Sequence, residues 1–253
     1  MILVLSDVHL GYERCNKQAF SNFLDKYDSG DIDPLVLLGD LFDFWRRSNA
    51  EIITENNDII DKLLKLNTKE INYIVGNHDY YMHKLSERYG DNFPFIISKN
   101  LRLEDGGNKF YFTQGYEFEA LYMEPVTLEM YEEFSEKMCF SEDIIGDLAG
   151  HIWSLIQGND LKEKLEKNPR SRLESSEELK KIYKLAISKG KGFLMGMKSD
   201  ETLVFGHTHG PFINKEKTVV NSGSWVNELL SNEYQNSYVE ISNGNLELKF
   251  FKF

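Results

Sequence analysis

Ile71-Asn72-Tyr73-Ile74-Val75-Gly76-Asn77-His78-Asp79 is the stretch from which the fold of this chain follows. Its first five residues form a short apolar run, expected to be a buried strand. Just past a strand end, a tight glycine turn can aim side chains into one crevice. Here those side chains are an amide, an imidazole and a carboxylate. An amide oxygen is a neutral metal ligand, and an imidazole can pass a proton. Taken alone, Gly76-Asn77-His78-Asp79 is better explained as a turn with Asp79 capping the next helix. Three other strand ends with the same chemistry change that balance.

The first is at the N-terminus. Residues 2–6 read as a buried strand ending in Asp7-Val8-His9. On an extended backbone, residues two apart point the same way, so Asp7 and His9 would offer a carboxylate beside an imidazole. The second follows the apolar run 34–38 and reads Gly39-Asp40-Leu41-Phe42-Asp43. Between these runs, Phe20, Phe23, Leu24 and Tyr27 have helical spacing over 17–27, as do Ile52, Ile59, Leu63 and Leu66 over 51–66. Strands alternating with helices predict an α/β layer with a largely parallel sheet, whose ligands bind beyond the carboxyl ends of the strands.

Beyond residue 79, a short helix and strands at 95–98, 101–104 and 109–113 are expected. From about residue 118 to 200 the pattern turns helical. Apolar stripes run through Leu121, Leu128, Tyr131 and Phe134, through Ile144, Leu148, Ile152 and Leu155, and through Leu179, Ile182, Leu185 and Ala186, with a break at 171–176. Such stripes must pack on something, so this region reads as a helical insertion. Strand 202–205 then leads into Gly206-His207-Thr208-His209, the fourth strand end. Strands at 217–220, 237–241 and 246–251 close the chain, with Asn243-Gly244 as a hairpin turn. The expected organisation is a core of 1–117 and 201–253 interrupted by a helical insertion, 118–200.

Lys and Arg number 29 against 41 Asp and Glu, a net charge of −12. That balance disfavours nucleic acid and anionic membranes as partners, although bound divalent cations would add positive charge where an anionic substrate sits. Cys15 and Cys139 form no disulfide framework and suit free thiols in a reducing compartment. The chain opens directly on an apolar strand with no basic leader region, and no apolar run reaches membrane-span length. A cytoplasmic location is expected.

Of 6 histidines, four (His9, His78, His207 and His209) fall in the motifs after strands. With Asp7, Asp40 and Asn77, the histidines His9, His207 and His209 make a set that two cations sharing a carboxylate would fill. The four motifs, in this order, resemble those of the calcineurin-like metallophosphoesterase superfamily. The resemblance covers the core but not the insertion. It implies an α/β fold of two packed mixed β-sheets flanked by helices, an α/β/β/α sandwich, with a helical cap. It implies that Asp7, His9, Asp40 and His209 hold one metal, that Asp40, Asn77 and His207 hold the second, and that His78 protonates the leaving group. Asp79 would orient His78 or cap the following helix. Two divalent ions are implied, Mn²⁺ foremost, with Fe²⁺, Zn²⁺ and Mg²⁺ compatible. The expected reaction is hydrolysis of a small phosphorylated substrate, a mono- or diester or a pyrophosphate, by metal-activated hydroxide.

The family usually has a further histidine before a glycine, where this chain has Gln114-Gly115. Either the Gln114 amide oxygen coordinates as a harder, weaker donor, or Gln114 only hydrogen-bonds; Glu117 or Glu119 could also fill the gap. Gly39 to Trp45 and the insertion are similar to the UDP-2,3-diacylglucosamine hydrolases. Those enzymes, however, carry arginine at the place of His78 and histidine at that of Gln114. Arg46 or Arg47, next to Trp45, could grip a substrate phosphate or simply be solvated. The alternatives to a phosphoesterase of small substrates are a nuclease of the same superfamily and a non-catalytic scaffold, as in the retromer subunit of that superfamily.

Overall fold

The computed structural model describes residues 1–28, 30–123, 125–140, 177–227 and 235–252. The strands are β1 (Ile2–Leu5), β2 (Leu35–Leu38), β3 (Ile71–Ile74), β4 (Ile96–Ser98), β5 (Asn100–Asp105), β6 (Asn108–Thr113), β7 (Glu201–Phe205), β8 (Phe212–Ile213), β9 (Val219–Asn221), β10 (Ser237–Ser242) and β11 (Asn245–Phe250). The helices are α1 (Lys17–Tyr27), α2 (Asn49–Glu55), α3 (Asn57–Lys65), α4 (Tyr81–Tyr89), α5 (Tyr116–Tyr122), α6 (Leu128–Met138), α7 (Glu177–Ile187) and α8 (Lys191–Met195).

Two sheets result. The first runs β11-β10-β1-β2-β3-β4 and the second β5-β6-β7-β9-β8. In the first, β1 to β4 are mutually parallel and the β10–β11 hairpin joins β1 antiparallel. In the second, β6, β7 and β9 are parallel, with β5 and β8 antiparallel at the edges. Both sheets are therefore mixed, as the resemblance implied.

β1 and β2 are apolar throughout because each has two faces to bury. Ile2, Val4, Val36, Leu38, Phe112 and Val204 point between the sheets and form one core. Their neighbours Leu3, Leu5, Leu35 and Leu37 point the other way, onto Phe20, Phe23, Ile59 and Leu63 of α1 and α3. Tyr111, Leu203 and Phe205 of the second sheet pack outward on Phe118 of α5 and on Ile182 and Ala186 of α7. The period of two thus sorts one apolar sequence into two cores at once. Each fully buried aliphatic or Phe side chain among them contributes on the order of 1.5–3 kcal/mol.

Two local features differ from expectation, and a third, the Asn243-Gly244 turn, agrees with it. The single helix expected over 51–66 is two helices, broken at Asn56, whose side-chain amide donates to the Ile52 carbonyl at 2.7 Å. This backbone-directed bond competes with helix continuation. The two-residue edge strand β8 was not expected from sequence, being too short to show a period. At the β10–β11 turn, Asn243 and Gly244 both have positive φ, 51° and 77°, as a tight hairpin with a right-handed twist requires. The stripe Ile144, Leu148, Ile152 and Leu155 and the break at 171–176 lie outside the described residues. No helix among the described residues is long and apolar enough to cross a membrane.

Candidate metal centre

Because β1, β2 and β3 are parallel in one sheet, and β6 and β7 in the other, their carboxyl ends share one rim. Asp7 and His9 follow β1, Asp40 follows β2, Asn77 and His78 follow β3, Gln114 follows β6, and His207 and His209 follow β7. The structure thus brings all eight to one edge.

Asp7, His9, Asp40, His207 and His209 all have left-handed backbones, with φ of 51°, 53°, 53°, 65° and 56°. Non-glycine residues adopt this region sparingly, and such strain gathers at functional sites. The extended geometry expected for Asp7-Val8-His9 is therefore corrected. β1 ends at Leu5, and two left-handed residues in the loop bring the side chains together instead.

The carboxylates also knit the motifs to one another. Asp40 Oδ1 accepts the His78 backbone N–H at 2.9 Å, and Asp7 Oδ2 accepts that of His207 at 3.0 Å. In each case the glycine of the donating loop lies against the carboxylate, so a Cβ at Gly76 or Gly206 would collide with it. This close approach explains why both motifs begin with glycine.

His9 Nε2 and His209 Nε2 face each other at 3.1 Å, and Asp7 Oδ1 lies 3.5 Å from His209 Nε2. Asp40 Oδ2 lies 3.8 Å from His9 Nε2. Two donors bound to one cation by bonds of about 2.0–2.2 Å stand roughly 2.8–3.6 Å apart, the spacing seen here between most of these atoms. Asn77 is buried and its Oδ1 has no hydrogen-bond partner among the described residues. A buried carbonyl oxygen without a partner costs free energy unless a ligand meets it. Burial raises the Asp40 pKa well above the ordinary carboxylate value, and the neighbouring Asp79 and Asp7 charges add to it. Asp7 moves the other way: burial opposes its ionisation, but His209 and His9 outweigh it. A cation beside Asp40 would reverse its penalty. The donor set, the orphaned amide oxygen and the repelled carboxylates together fit divalent cations.

The sequence matches the calcineurin-like phosphoesterase family over residues 1–211. The chain belongs to that family. Comparison with curated proteins gives no match. Among solved structures, it is similar in fold to a dimetal phosphatase from Danio rerio, with a TM-score of 0.51 at 10% identity over 99% of this chain and 98% of the other. An archaeal phosphodiesterase overlaps less closely, with a TM-score of 0.45 at 13% identity over 98% of each chain. So does Vps29 from Entamoeba histolytica, with a TM-score of 0.39 at 14% identity over 98% of this chain and 96% of the other. Membership of the calcineurin-like phosphoesterases implies a dinuclear divalent metal centre, and the structure provides His and Asp groups able to hold one.

Within this phosphoesterase site, two carboxylates do work that the sequence did not assign. Asp43, fully buried, receives His78 Nδ1 at 3.0 Å and His9 Nδ1 at 3.2 Å on its two oxygens. Burial would raise its pKa, but the charges and hydrogen bonds of His78 and His9 hold it well below the ordinary value. An ionised Asp43 thus fixes both rings through Nδ1 and turns both Nε2 atoms toward the rim. Burial pushes His78 down to about 4; Asp43 opposes this, and His9 and Arg46 add to it. The second carboxylate is Glu119 of α5, whose Oε2 lies 2.9 Å from His207 Nε2 and accepts the Tyr131 hydroxyl at 2.6 Å. Asp43 was legible as part of Gly39-Asp40-Leu41-Phe42-Asp43, whereas Glu119 was marked only as one of two carboxylates near enough to Gln114 to fill its gap.

Asp79 does neither of the things expected of it. It accepts the Gly76 and Phe42 backbone N–H groups at 2.8 and 3.4 Å and the Tyr73 hydroxyl, clasping the loops after β2 and β3. Tyr80 is the residue preceding α4, and no side chain caps that helix. Arg46 reaches Asp43 and lies over the Tyr12 ring at 4.2 Å, beside the site. Arg47 turns away to pair with Glu55 at 2.6 Å on the surface. Glu117 is taken up by the Thr113 hydroxyl and by the Gly115 N–H at 2.9 Å.

Proposed function

We propose that this phosphoesterase hydrolyses small phosphorylated substrates with two divalent cations, Mn²⁺ foremost. The observation that carries this is the convergence of Asp7, His9, Asp40 and His209, on a rim that also holds His207 and the Asn77 Oδ1, unpartnered among the described residues. Asp7, His9, Asp40 and His209 would hold one cation, and Asp40, Asn77 and His207 the other. When bound, such a pair supplies an activated water and neutralises charge on the phosphoryl oxygens.

The side chains of this chain then have distinct tasks. His78 passes a proton to the leaving oxygen from Nε2, since Nδ1 is committed to Asp43. Burial holds His78 down to about 4 despite the ionised Asp43, so the second proton on the ring is favoured as an anionic phosphoester arrives beside it. Trp45 stacks on His78 with centroids 4.3 Å apart, and Phe134 of α6 meets Trp45 edge-on at 5.8 Å. These contacts exclude water from one face of the ring. Arg46 is the cation best placed to meet a substrate oxygen.

Hydrolysis of an aryl phosphate with and without added Mn²⁺, beside a count of bound metal, tests the reading. A panel of monoesters, diesters and nucleoside diphosphate conjugates would name the bond. Activity that appears with metal and vanishes with a chelator is expected. Tight metal binding with no hydrolysis across the panel would favour a scaffold.

We further read the insertion, by its described helix α6, as a cap over the site, because Phe134 reaches Trp45 beside His78. Shortening the chain between Val126 and Lys191 should then widen access to small generic esters. An unchanged substrate profile in a folded shortened protein would refute the cap. A reducing compartment, the cytoplasm, suits the free thiols Cys15 and Cys139.

A further inference from the structure

Gln114 cannot offer its amide oxygen to a cation without breaking a bond inside its own turn. Its Oε1 accepts the Tyr116 backbone N–H at 3.0 Å. Its Nε2 donates to Asp40 Oδ2 at 3.0 Å and reaches Asp7 Oδ1 at 3.5 Å. Turning the amide over would set its NH₂ against the Tyr116 N–H and leave two buried donors facing each other. Gln114 is fully buried, so water cannot repair that mismatch. The side chain therefore presents hydrogens, not an oxygen, to the carboxylates of the centre.

A cation held by Asp40, Asn77 and His207 accordingly needs a further protein donor. The Glu119 carboxylate stands 2.9 Å from His207 Nε2, within the spacing of two ligands on one ion. Its position is fixed from behind by the Tyr131 hydroxyl of α6 at 2.6 Å, an outer contact of the sort that orients metal-binding carboxylates. The nearby Glu117 is excluded by its bonds to Thr113 and Gly115.

We propose that Glu119, from the first helix after Gln114, is a ligand of the second cation. Gln114 instead acts as a hydrogen-bond donor that holds the Asp7 and Asp40 carboxylates in place. The inference rests on the two-cation reading above and makes the second cation a link between the core and the α5–α6 segment. A carboxylate in place of a neutral donor also adds one negative charge to the ligand set, which suits a hard cation such as Mn²⁺ or Mg²⁺.

Metal-free wild type, Glu119→Ala and Gln114→Met proteins are titrated with Mn²⁺ by calorimetry, and retained metal is counted after gel filtration. Wild type should take up two ions, and Gln114→Met should do so as well, with affinity lowered about 10–100-fold by loss of the donor that holds Asp7 and Asp40. Glu119→Ala should keep the first site and lose more than about 100-fold at the second, beyond the roughly 10–100-fold that losing an outer partner costs. A smaller loss at the second site, or none, overturns the proposal. So does a Gln114→Met protein that loses its second ion while Glu119→Ala keeps it. Glu119 is 25% exposed, so its truncation should leave the fold intact, as circular dichroism would check. If Gln114→Met does not fold, the Glu119→Ala titration decides alone. A wild type that binds fewer than two ions defeats the two-cation reading itself, and the role of Glu119 with it.

Discussion

The His9–His209 pair and the His207–Glu119 pair lie on the same rim at nearly the same spacing, 3.1 and 2.9 Å, but they are built differently. The first joins two loops that each follow a core strand directly, one per sheet. Both of its residues have left-handed backbones, and the buried Asp43 holds His9 from behind. The second joins such a loop to a helix of the segment between β6 and β7. Burial works against charge on both of its members. Even so, the pairing raises the His207 pKa and lowers that of Glu119. One half of the centre is thus a property of the two sheets alone. The other depends on how α5 and α6 sit against them.

That contrast can be broken by experiment, and the largest effect should come where the halves meet. Asp40→Ala removes the carboxylate that both would share. It should abolish binding of both cations and lower hydrolysis by at least on the order of 10³-fold, the scale of losing a key electrostatic partner. Circular dichroism should be unchanged. Full activity in this variant would show that no carboxylate is shared.

His78→Ala tests the catalytic face of the first half. Both metals should stay, while alkyl phosphoesters lose about 10²–10⁴-fold in rate, the usual contribution of a positioned acid. Aryl esters, whose leaving groups need little proton assistance, should lose much less. An equal loss on both classes would assign His78 a different task.

The smallest effect is expected at Tyr131, outside the second half. Tyr131→Phe keeps the ring stacked on Tyr116, at 5.7 Å between centroids, and removes only the hydroxyl on Glu119. Affinity for the second cation should drop about 10-fold, the low end for an outer partner, with the first unaffected. Calorimetry showing both sites equally weakened would mean that the two halves are not independent.

Much of the first half was legible in the sequence because its chemistry is compact. A strand of four or five apolar residues followed by Asp7-Val8-His9 or Gly206-His207-Thr208-His209 carries both the position and the donors. What it did not carry was the backbone. The extended geometry expected for Asp7 and His9 gives way to left-handed loops. Asp79 was expected at a helix end or behind His78, yet it ties two loops together through Tyr73, Gly76 and Phe42. Its partners lie up to 37 positions away, and no local pattern announces them.

The sequence by itself determined the alternation of strands and helices, the apolar period that buries each strand on two faces, and the residue types waiting at the strand ends. These follow from local propensity and solvent exclusion, which act over a few residues. Only the tertiary structure decided which donors meet. His9 reaches His209 across 200 positions, and Glu119 reaches His207 across 88. Such meetings depend on parallel strand order and on the seating of α5 on the second sheet. The same three-dimensional packing decided that Gln114 faces the carboxylates with its nitrogen, because the acceptor that Tyr116 needs is fixed by the turn and not by the residue type.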